Sequence, residues 1–426
     1  MISTPMHTRP KGQQDVLLLT APPIPVVKIG LVGLGARATR AIHRFMHMED
    51  VCITALCDIV DTNIKKAQEV LSTNSKPKAT EYSGTDGWKR LCEDSNIDLV
   101  YICTDWESHT RIAVYGMECD KHIAVEVPAA TAVEECWQLV DTSERTRKHC
   151  MMLENACYDF FELTVLNMAQ QGLFGEIIHG EGAYIHDIRN LILADEKDSC
   201  TNNWQIKYNL RHTGNPYPTH GLGPICQVMN MHRGDRMKRL VSMSTKQMGL
   251  TDYAVRKYGK DAEPARNPYL LGDMNTTLIY TEAGHTIMLQ HNKSNPRPYS
   301  RIHLLNGTKG YTQKYPVEQM AFDAEHPLST TEIQELLQEY EHPFITQLGK
   351  KAVEVADIRA RDYIMDSRLI HCLKNGLPLD QDVYDAAEWS CIVELSETSV
   401  LNENEPVEIP DFTRGNWNKL KRLRFA

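Results

Sequence analysis

"VVKIGLVGLGARATRAIHRFM", residues 26–46, decides how the rest of the chain is read. An apolar, β-branched run is followed by Gly33-Leu34-Gly35-Ala36-Arg37-Ala38, which fits G-x-G-x-x-A, and then by residues at helical spacing. Each small residue has a physical reason to be there. Gly33 permits a tight strand-to-helix turn, Gly35 lets a pyrophosphate approach the backbone, and Ala38 keeps the helix close to the sheet. The free N–H groups at the helix start, around Ala36 and Arg37, then face the phosphates. The hexapeptide alone is a weak signal, and its context strengthens it. The next apolar run, "CITALCDIV" (52–60), carries Asp58 near its end. An acid at about 20 residues from the first glycine hydrogen-bonds a ribose hydroxyl and repels a 2′-phosphate. The spacing therefore favours NAD over NADP.

Outward from this unit, strand and helix alternate. "DTNIKKAQEVL" (61–71) reads as a helix capped by Asp61 or Thr62. "GWKRLCEDSNI", "HTRIAVYGMECDK" and "AVEECWQLVDTSERTRK" read as helices; "DLVYICT", "HIAVEVP" and "CMMLENACYD" read as strands. The strands are apolar nearly end to end, as expected when helices cover both faces of a parallel sheet. From about residue 156 the rhythm changes. "FFELTVLNMAQQGLFG" reads as a helix and "EIIHGEGAYIHDI" as a strand. Runs of period 2 follow from about residue 235, with Asn306-Gly307 as a turn signal. The expected architecture is α/β, with an N-terminal Rossmann (doubly wound, parallel) sheet. A C-terminal α+β domain with a large, mostly antiparallel open sheet follows. The boundaries expected are a loosely held arm at 1–27, a dinucleotide domain at 28–155, and a substrate and oligomerisation domain at 156–426. The C-terminal tail is open to packing back on the first domain.

Composition narrows the function. The 426-residue chain has 46 basic and 56 acidic residues, a formal net charge of −10. Such a chain has no electrostatic reason to hold nucleic acid or an anionic membrane surface. Twelve scattered cysteines, with no CxxC pair, read as free thiols in a reducing compartment. The apolar run near the N-terminus is short and broken by Pro22, Pro23 and Pro25. It is a poor signal peptide and too short for the ~20 residues that span a bilayer. The expectation is a cytoplasmic protein. Without HExxH, paired CxxC or an acidic calcium loop, no metal is expected.

Three later segments carry candidate chemistry. "TDWESH" (104–109) follows a strand end, where doubly wound sheets bind ligands. Trp106 is expected either against a nicotinamide or ribose or as a shield for the helix start, and His109 as a helix cap. "AVEVPAA" (124–130) places Glu126-Val127-Pro128 at another strand end. "HTGNPYPTHGLGP" (212–224) packs three glycines, three prolines, Tyr217 and two histidines together. It reads as a site segment rather than an ordinary surface loop or helix start.

At Glu126-Val127-Pro128 the chain resembles the Gfo/Idh/MocA oxidoreductases, which pair a dinucleotide fold with an open-sheet substrate domain. Their usual tripeptide is Glu-Lys-Pro, whose lysine assists proton transfer from a sugar hydroxyl. Val127 can neither donate nor accept a proton, so that chemistry needs another base here. Together with "ENACYD" (154–159), "GNPYPTHGLGP" and "NPRPYSRIHLLNGTKG" (295–310), the tripeptide resembles one branch of that superfamily. That branch is glycoside hydrolase family 109, the NAD-dependent α-N-acetylgalactosaminidase-like proteins. The resemblance runs from about residue 28 to "IPDFTRGNW" (409–417).

The resemblance implies a retained, recycled NAD and a redox-neutral cycle. Sugar C3 is oxidised, the acidified C2 proton is removed, the C1 group is eliminated, water adds, and the ketone is reduced. Ala36, Arg37, Asp58, Trp106, His109, Glu126, Val127 and Asn155 match NAD-contacting positions of the family; Tyr217 is assigned to the cofactor side as well as to substrate. Tyr184, Tyr217, Pro218, Thr219, His220 and Tyr299 match substrate-contacting ones. His220, Tyr217, Tyr184, Tyr299 and Glu154 are the acid–base candidates, with the C2 base open among them. Gln205 stands where the family pattern has arginine, so the sugar and anomer stay open. The alternative functions are an NAD-dependent sugar dehydrogenase and a non-catalytic binding protein. The expected partners are a small carbohydrate and further copies of the chain, the last by fold analogy.

Overall fold

The computed structural model describes residues 1–194 and 204–426. The chain forms two compact units, each assembled from separate stretches. One comprises His7–Tyr158, Phe344–Ser390 and Arg424–Ala426; the other comprises Met1–Met6, Asp159–Pro343 and Cys391–Leu423.

The first unit is built on β1 (Val27–Val32), β2 (Val51–Asp58), β3 (Thr80–Ser83), β4 (Leu99–Ile102), β5 (His122–Val125) and β6 (Cys150–Met152). The order β3-β2-β1-β4-β5-β6, parallel throughout, is that of a Rossmann sheet. Its crossover helices are α1 (Ala36–Phe45), α2 (Asp61–Thr73), α3 (Gly87–Glu93), α4 (Trp106–Glu118) and α5 (Val133–Thr146). β4 and β5 are buried at every residue, the reason their sequences show no alternation.

Three local expectations need correction. The residue before α2 is Val60, and neither Asp61 nor Thr62 caps it. The helix has no side-chain cap; Asp58, at the end of β2, holds the turn into it, its Oδ1 accepting from Val60 N at 2.8 Å and its Oδ2 from Asn63 Nδ2 at 3.3 Å. His109 caps nothing; Asp105 caps α4 by accepting from Ser108 N at 3.0 Å. The arm is not loose. Arg9 grips Glu144 with two bonds of 2.9 Å, His7 stacks on Trp137 at 4.9 Å, and Ile24 N donates to Leu373 O. The cause is Glu144, a carboxylate only 2% exposed. Buried in this way it requires donors, and Arg9 and the Tyr384 hydroxyl (2.6 Å) supply them.

The second unit carries β7 (Ile177–Ile185), β8 (Met237–Ser244), β9 (Met274–Thr281), β10 (Thr286–Asn292), β11 (Ser300–Gly307), β12 (Tyr311–Gln313), β13 (Gln319–Ala321) and β14 (Val407–Glu408). Their order is β13-β12-β11-β7-β10-β9-β8-β14. β7 and β10 are parallel and every other neighbouring pair is antiparallel. The β11–β12 turn lies one step beyond Asn306-Gly307, because Asn306 is still paired with Tyr311. Thr308 N and Lys309 N are held by the carbonyls of Glu176 and Phe174, which places the reversal there. The helix Thr219–Val228 lies along β7, and "HTGNPYPTHGLGP" therefore does contain a helix start.

Candidate active site

In the first unit, Gly33 has φ +83° and a Cβ there would stand 2.7 Å from Cys103 O, so only glycine fits the turn. Leu34 N donates to Asp58 Oδ2 at 2.6 Å, which ties the glycine loop to the end of β2. A Cβ on Gly35 meets nothing within 4 Å. That open backbone is where a pyrophosphate would come close. α1 has no acidic residue in its first turn and no side-chain cap at Gly35. Its N-terminal N–H groups are thus left for an external anion, with Ala36 exposed.

Arg37 Nη2 lies 3.3 Å from Glu126 Oε2, linking α1 to the segment after β5. Trp106 opens α4 and is 8% exposed. Val127 is buried. His109 is also buried, with Nδ1 2.8 Å from Pro128 O and Nε2 3.1 Å from Thr104 O. Burial lowers its pKa, against the pull of those two carbonyls. The ring braces the segments after β4 and β5. Glu154 is wholly buried after β6, and its Oε1 accepts from Ala156 N at 2.9 Å. Asn155 opens the 3₁₀ turn Asn155–Tyr158. The open backbone at Gly35, the uncontested helix N-terminus and the acid at the end of β2 fit a dinucleotide. Gly33, Gly35, Ala36, Arg37 and Asp58 would hold its adenosine and phosphate parts, and Trp106, Glu126 and Asn155 the remainder.

In the second unit, β7 and helix Thr219–Val228 approach to backbone contact. A Cβ on Gly182 would meet Gly221 O at 2.2 Å, and one on Gly221 would meet Ala183 N at 2.3 Å. These glycines are packing residues, and they draw His220 toward Tyr184. The preceding loop is pinned to helix Ile392–Leu401. Thr213 N donates to Glu397 Oε1 at 2.9 Å, His212 Nδ1 lies 3.0 Å from Glu397 Oε2, and Asn215 N donates to Ser396 Oγ at 2.8 Å. Asn215 Oδ1 accepts from Tyr217 N at 3.1 Å, which orients the loop's last turn. Pro218 immediately precedes the helix, and Thr219, its first residue, is wholly buried.

Tyr184 is the centre of the resulting cluster. Its ring lies 4.7 Å from Tyr217, 5.6 Å from His220 and 6.2 Å from His291. Its hydroxyl is 3.2 Å from His186 Nδ1. His186 in turn stands edge-on to Tyr299, 5.1 Å away. Burial lowers the His186 pKa and nearby His220 adds to this, with Asp187 opposing. Tyr299, 38% exposed, precedes a distorted stretch of β11 in which Ile302 (φ +59°) and His303 (φ +51°) are left-handed. A β-branched residue in that region is strained. A buried charge network holds it: Arg301 contacts Asp159 at 2.7 Å and Glu162 at 3.1 Å, and Lys314 contacts the same acids at 2.7 and 2.8 Å.

The candidate residues Tyr184, Tyr217, His220 and Tyr299 thus lie in one cluster of the second unit, and Glu154 lies in the first unit. Gln205 is on helix Trp204–Arg211, half-buried, with Oε1 lacking a partner among the described residues. Sequence reasoning missed His186 and His291. The signal for His186 was its spacing of two residues from Tyr184, just past the end of β7.

Two family models match. The oxidoreductase family, NAD-binding Rossmann fold, covers residues 27–154. The glycosyl hydrolase 109 C-terminal domain covers residues 158–419. The chain is 58% identical over 411 residues to an alpha-N-acetylgalactosaminidase of Bacteroides fragilis, covering 96% of this chain and 97% of that protein. It is 56% identical to glycosyl hydrolase family 109 protein 2 of Phocaeicola vulgatus, over 95% of this chain and 99% of the other. In fold it is similar to levoglucosan dehydrogenase in complex with NADH and L-sorbose, with TM-score 0.66, 16% identity and coverage of 91% and 100%. It is also similar to scyllo-inositol dehydrogenase of Lactobacillus casei with bound NAD(H) and scyllo-inositol, with TM-score 0.62, 12% identity and coverage of 90% and 99%.

Proposed function

This chain belongs to glycosyl hydrolase family 109, and from that premise we propose that it is an NAD-dependent glycosidase acting on N-acetylhexosaminides, α-N-acetylgalactosaminides foremost. NAD rather than NADP is supported by Asp58, whose carboxylate closes the ribose end of the cradle to a 2′-phosphate. When bound, the nicotinamide supplies a hydride acceptor that later returns the hydride, so that a sugar C3 alcohol passes through a ketone and is restored.

The chain's own groups move the protons. A C–H beside a carbonyl is far more acidic than one beside an alcohol, so side-chain bases suffice for C2. His220, Tyr217, Tyr184 and Tyr299 are the groups proposed for that base and for the acid that protonates the leaving C1 oxygen. Imidazole titrates near neutrality and serves in either direction. The Tyr184 hydroxyl, in contact with His186 Nδ1, has a neighbour to exchange a proton with. Glu154 positions a hydroxyl or joins the transfer. Water then adds at C1 with retention, and no carboxylate pair astride the glycosidic bond is required. Val127, buried and without a titratable group, is where the superfamily's dehydrogenases carry their lysine, which weighs against a simple dehydrogenase.

The observation that carries this reading is the packing of Tyr184 against Tyr217 and His220. The test is turnover of an aryl α-N-acetylgalactosaminide in D₂O. The expected product carries deuterium at C2, the denatured protein releases NAD, and NADH does not accumulate. Product unlabelled at C2 would remove the elimination route, and steady NADH growth on free sugar would make the protein a dehydrogenase. The open sheet, with Met243 and Leu278 exposed on β8 and β9, supports a homo-oligomer.

A further inference from the structure

We propose that Asp362, on helix Ala360–Asn375, is a positioning residue for the cofactor and acts through Asn155. The proposal rests on the cofactor reading above and concerns how the chain aims one acceptor at that ligand. Asn155 follows β6 at the carboxyl edge of the parallel sheet and is 4% exposed. Its Nδ2 donates to Asp362 Oδ1 at 2.6 Å. Asp362 Oδ2 lies 3.6 Å from Arg44 Nη1 on α1. Arg44, Arg37 and Arg361 together hold this carboxyl below its usual pKa although burial pushes the other way.

An ionised carboxylate only accepts hydrogen bonds. The Asn155 amide must therefore turn its NH₂ group to Asp362, and its Oδ1 away. That oxygen is buried and meets no donor among the described residues. An acceptor held in one orientation without a donor, at the ligand-binding edge of a doubly wound sheet, calls for an O–H or N–H from the ligand. The strand order places it. Asp58 ends β2, on one side of the β1–β4 switch point, and Asn155 follows β6 on the far side. A dinucleotide with its adenosine ribose at Asp58 brings its nicotinamide half toward β6. The donor Asn155 would meet is a hydroxyl of the nicotinamide ribose or the carboxamide N–H. Asp362 lies 207 residues from Asn155 in the chain and outside the 28–155 segment that sequence reasoning read as the dinucleotide domain.

The test is NAD affinity by calorimetry on full-length protein freed of its nucleotide, with thermal melts of the same samples. Asp362→Asn preserves shape but introduces an amide that can donate to Asn155 Oδ1, so the lock on orientation is lost. The expected result is NAD binding weaker by about tenfold, the scale of one hydrogen bond. Asn155→Ala is expected to lose a similar factor, and Asp362→Asn to add almost nothing on top of it, since one acts through the other. Asp362→Glu keeps the charge a methylene too far and is expected to bind between wild type and Asp362→Asn. It serves as the second variant where Asp362→Asn does not fold. Three results would overturn the proposal: wild-type affinity in Asp362→Asn with only a lowered melting temperature, wild-type affinity in Asp362→Glu, or full additivity with Asn155→Ala. A wild type that binds no NAD overturns the cofactor reading itself and is recognisable as such, because it fails before any variant is compared.

Discussion

Asp58 illustrates what a single residue reveals and what it withholds. Its spacing from Gly33 reads directly as a ribose acid. Its hold on Leu34 does not, since that contact exists only once β1 and β2 lie side by side; its bonds to Val60 and Asn63 are local to the turn that leads into α2. Lys293 is harder still to read. It stands two residues beyond His291 in "QHNKS", where a lysine would ordinarily be taken as solvated, yet it is 5% exposed. No ion pair to it occurs among the described residues, and burial lowers its pKa to about 7. The sign of its effect follows from proton counting. Between pH 7 and the ordinary lysine value of 10.5 the unfolded chain keeps the proton and the folded chain does not, so stability rises with pH across that window. Below it both states are charged, and the folded state carries the full cost of a buried ammonium, about 1.4 kcal/mol for each tenfold loss of proton affinity. Lys293→Met should therefore be more stable than wild type by a few kcal/mol at pH 6, with the difference shrinking toward pH 10. Urea melts of both proteins at pH 6 and pH 9.5 check this, and an advantage independent of pH would contradict it.

Among elements, those formed by one clear periodicity were readable. α1, α2, α4 and α5, and strands β1, β2, β4 and β5, lie where their apolar patterns put them, because each buries one helix stripe or both strand faces. β3 escaped notice: it is a four-residue strand with mostly exposed side chains at the sheet edge. Helix Thr219–Val228 was hidden by its own composition. Gly221, Gly223 and Pro224 argue against a helix on propensity, but here close approach to β7 outweighs propensity. Two glycine substitutions separate the two uses of the residue. Gly182→Ala forces backbones apart and should destabilise the protein by about 1–3 kcal/mol, with activity falling as His220 and Tyr184 separate. Gly35→Ala has open space for its methyl group; it should leave the apo melting temperature nearly unchanged and weaken NAD binding. Equal melting temperatures for Gly182→Ala and wild type would show that the helix–strand contact tolerates expansion.

For the molecule as a whole, chain order and spatial order diverge, and sequence periodicity reports only the first. A boundary at 155/156 is a fair reading of where βα alternation stops. The unit holding the parallel sheet nevertheless takes in Phe344–Ser390. Arg44 of α1 is buried and donates through Nε to Asp366 at 2.7 Å, and the Tyr101 hydroxyl donates to the same carboxylate at 3.1 Å. Ala129 N donates to Ser390 Oγ at 3.1 Å, and the buried Glu144 accepts from Tyr384. Stripped of these partners, residues 28–155 would expose a cation and an acid made for burial, together with the apolar surface around them. Apolar surface left uncovered costs about 25 cal/mol per Å², so losing these partners is comparable with the whole stability of a small domain, ~5–15 kcal/mol. The segment 28–155 expressed alone should therefore lack fixed tertiary structure in its near-ultraviolet circular dichroism and bind no NAD. A longer piece that adds residues 7–27 and, through a flexible linker, 344–390 should recover both. A compact, NAD-binding 28–155 fragment would mean that the glycine loop and its sheet are self-sufficient, and that the helix carrying Asp362 was added to a domain already complete.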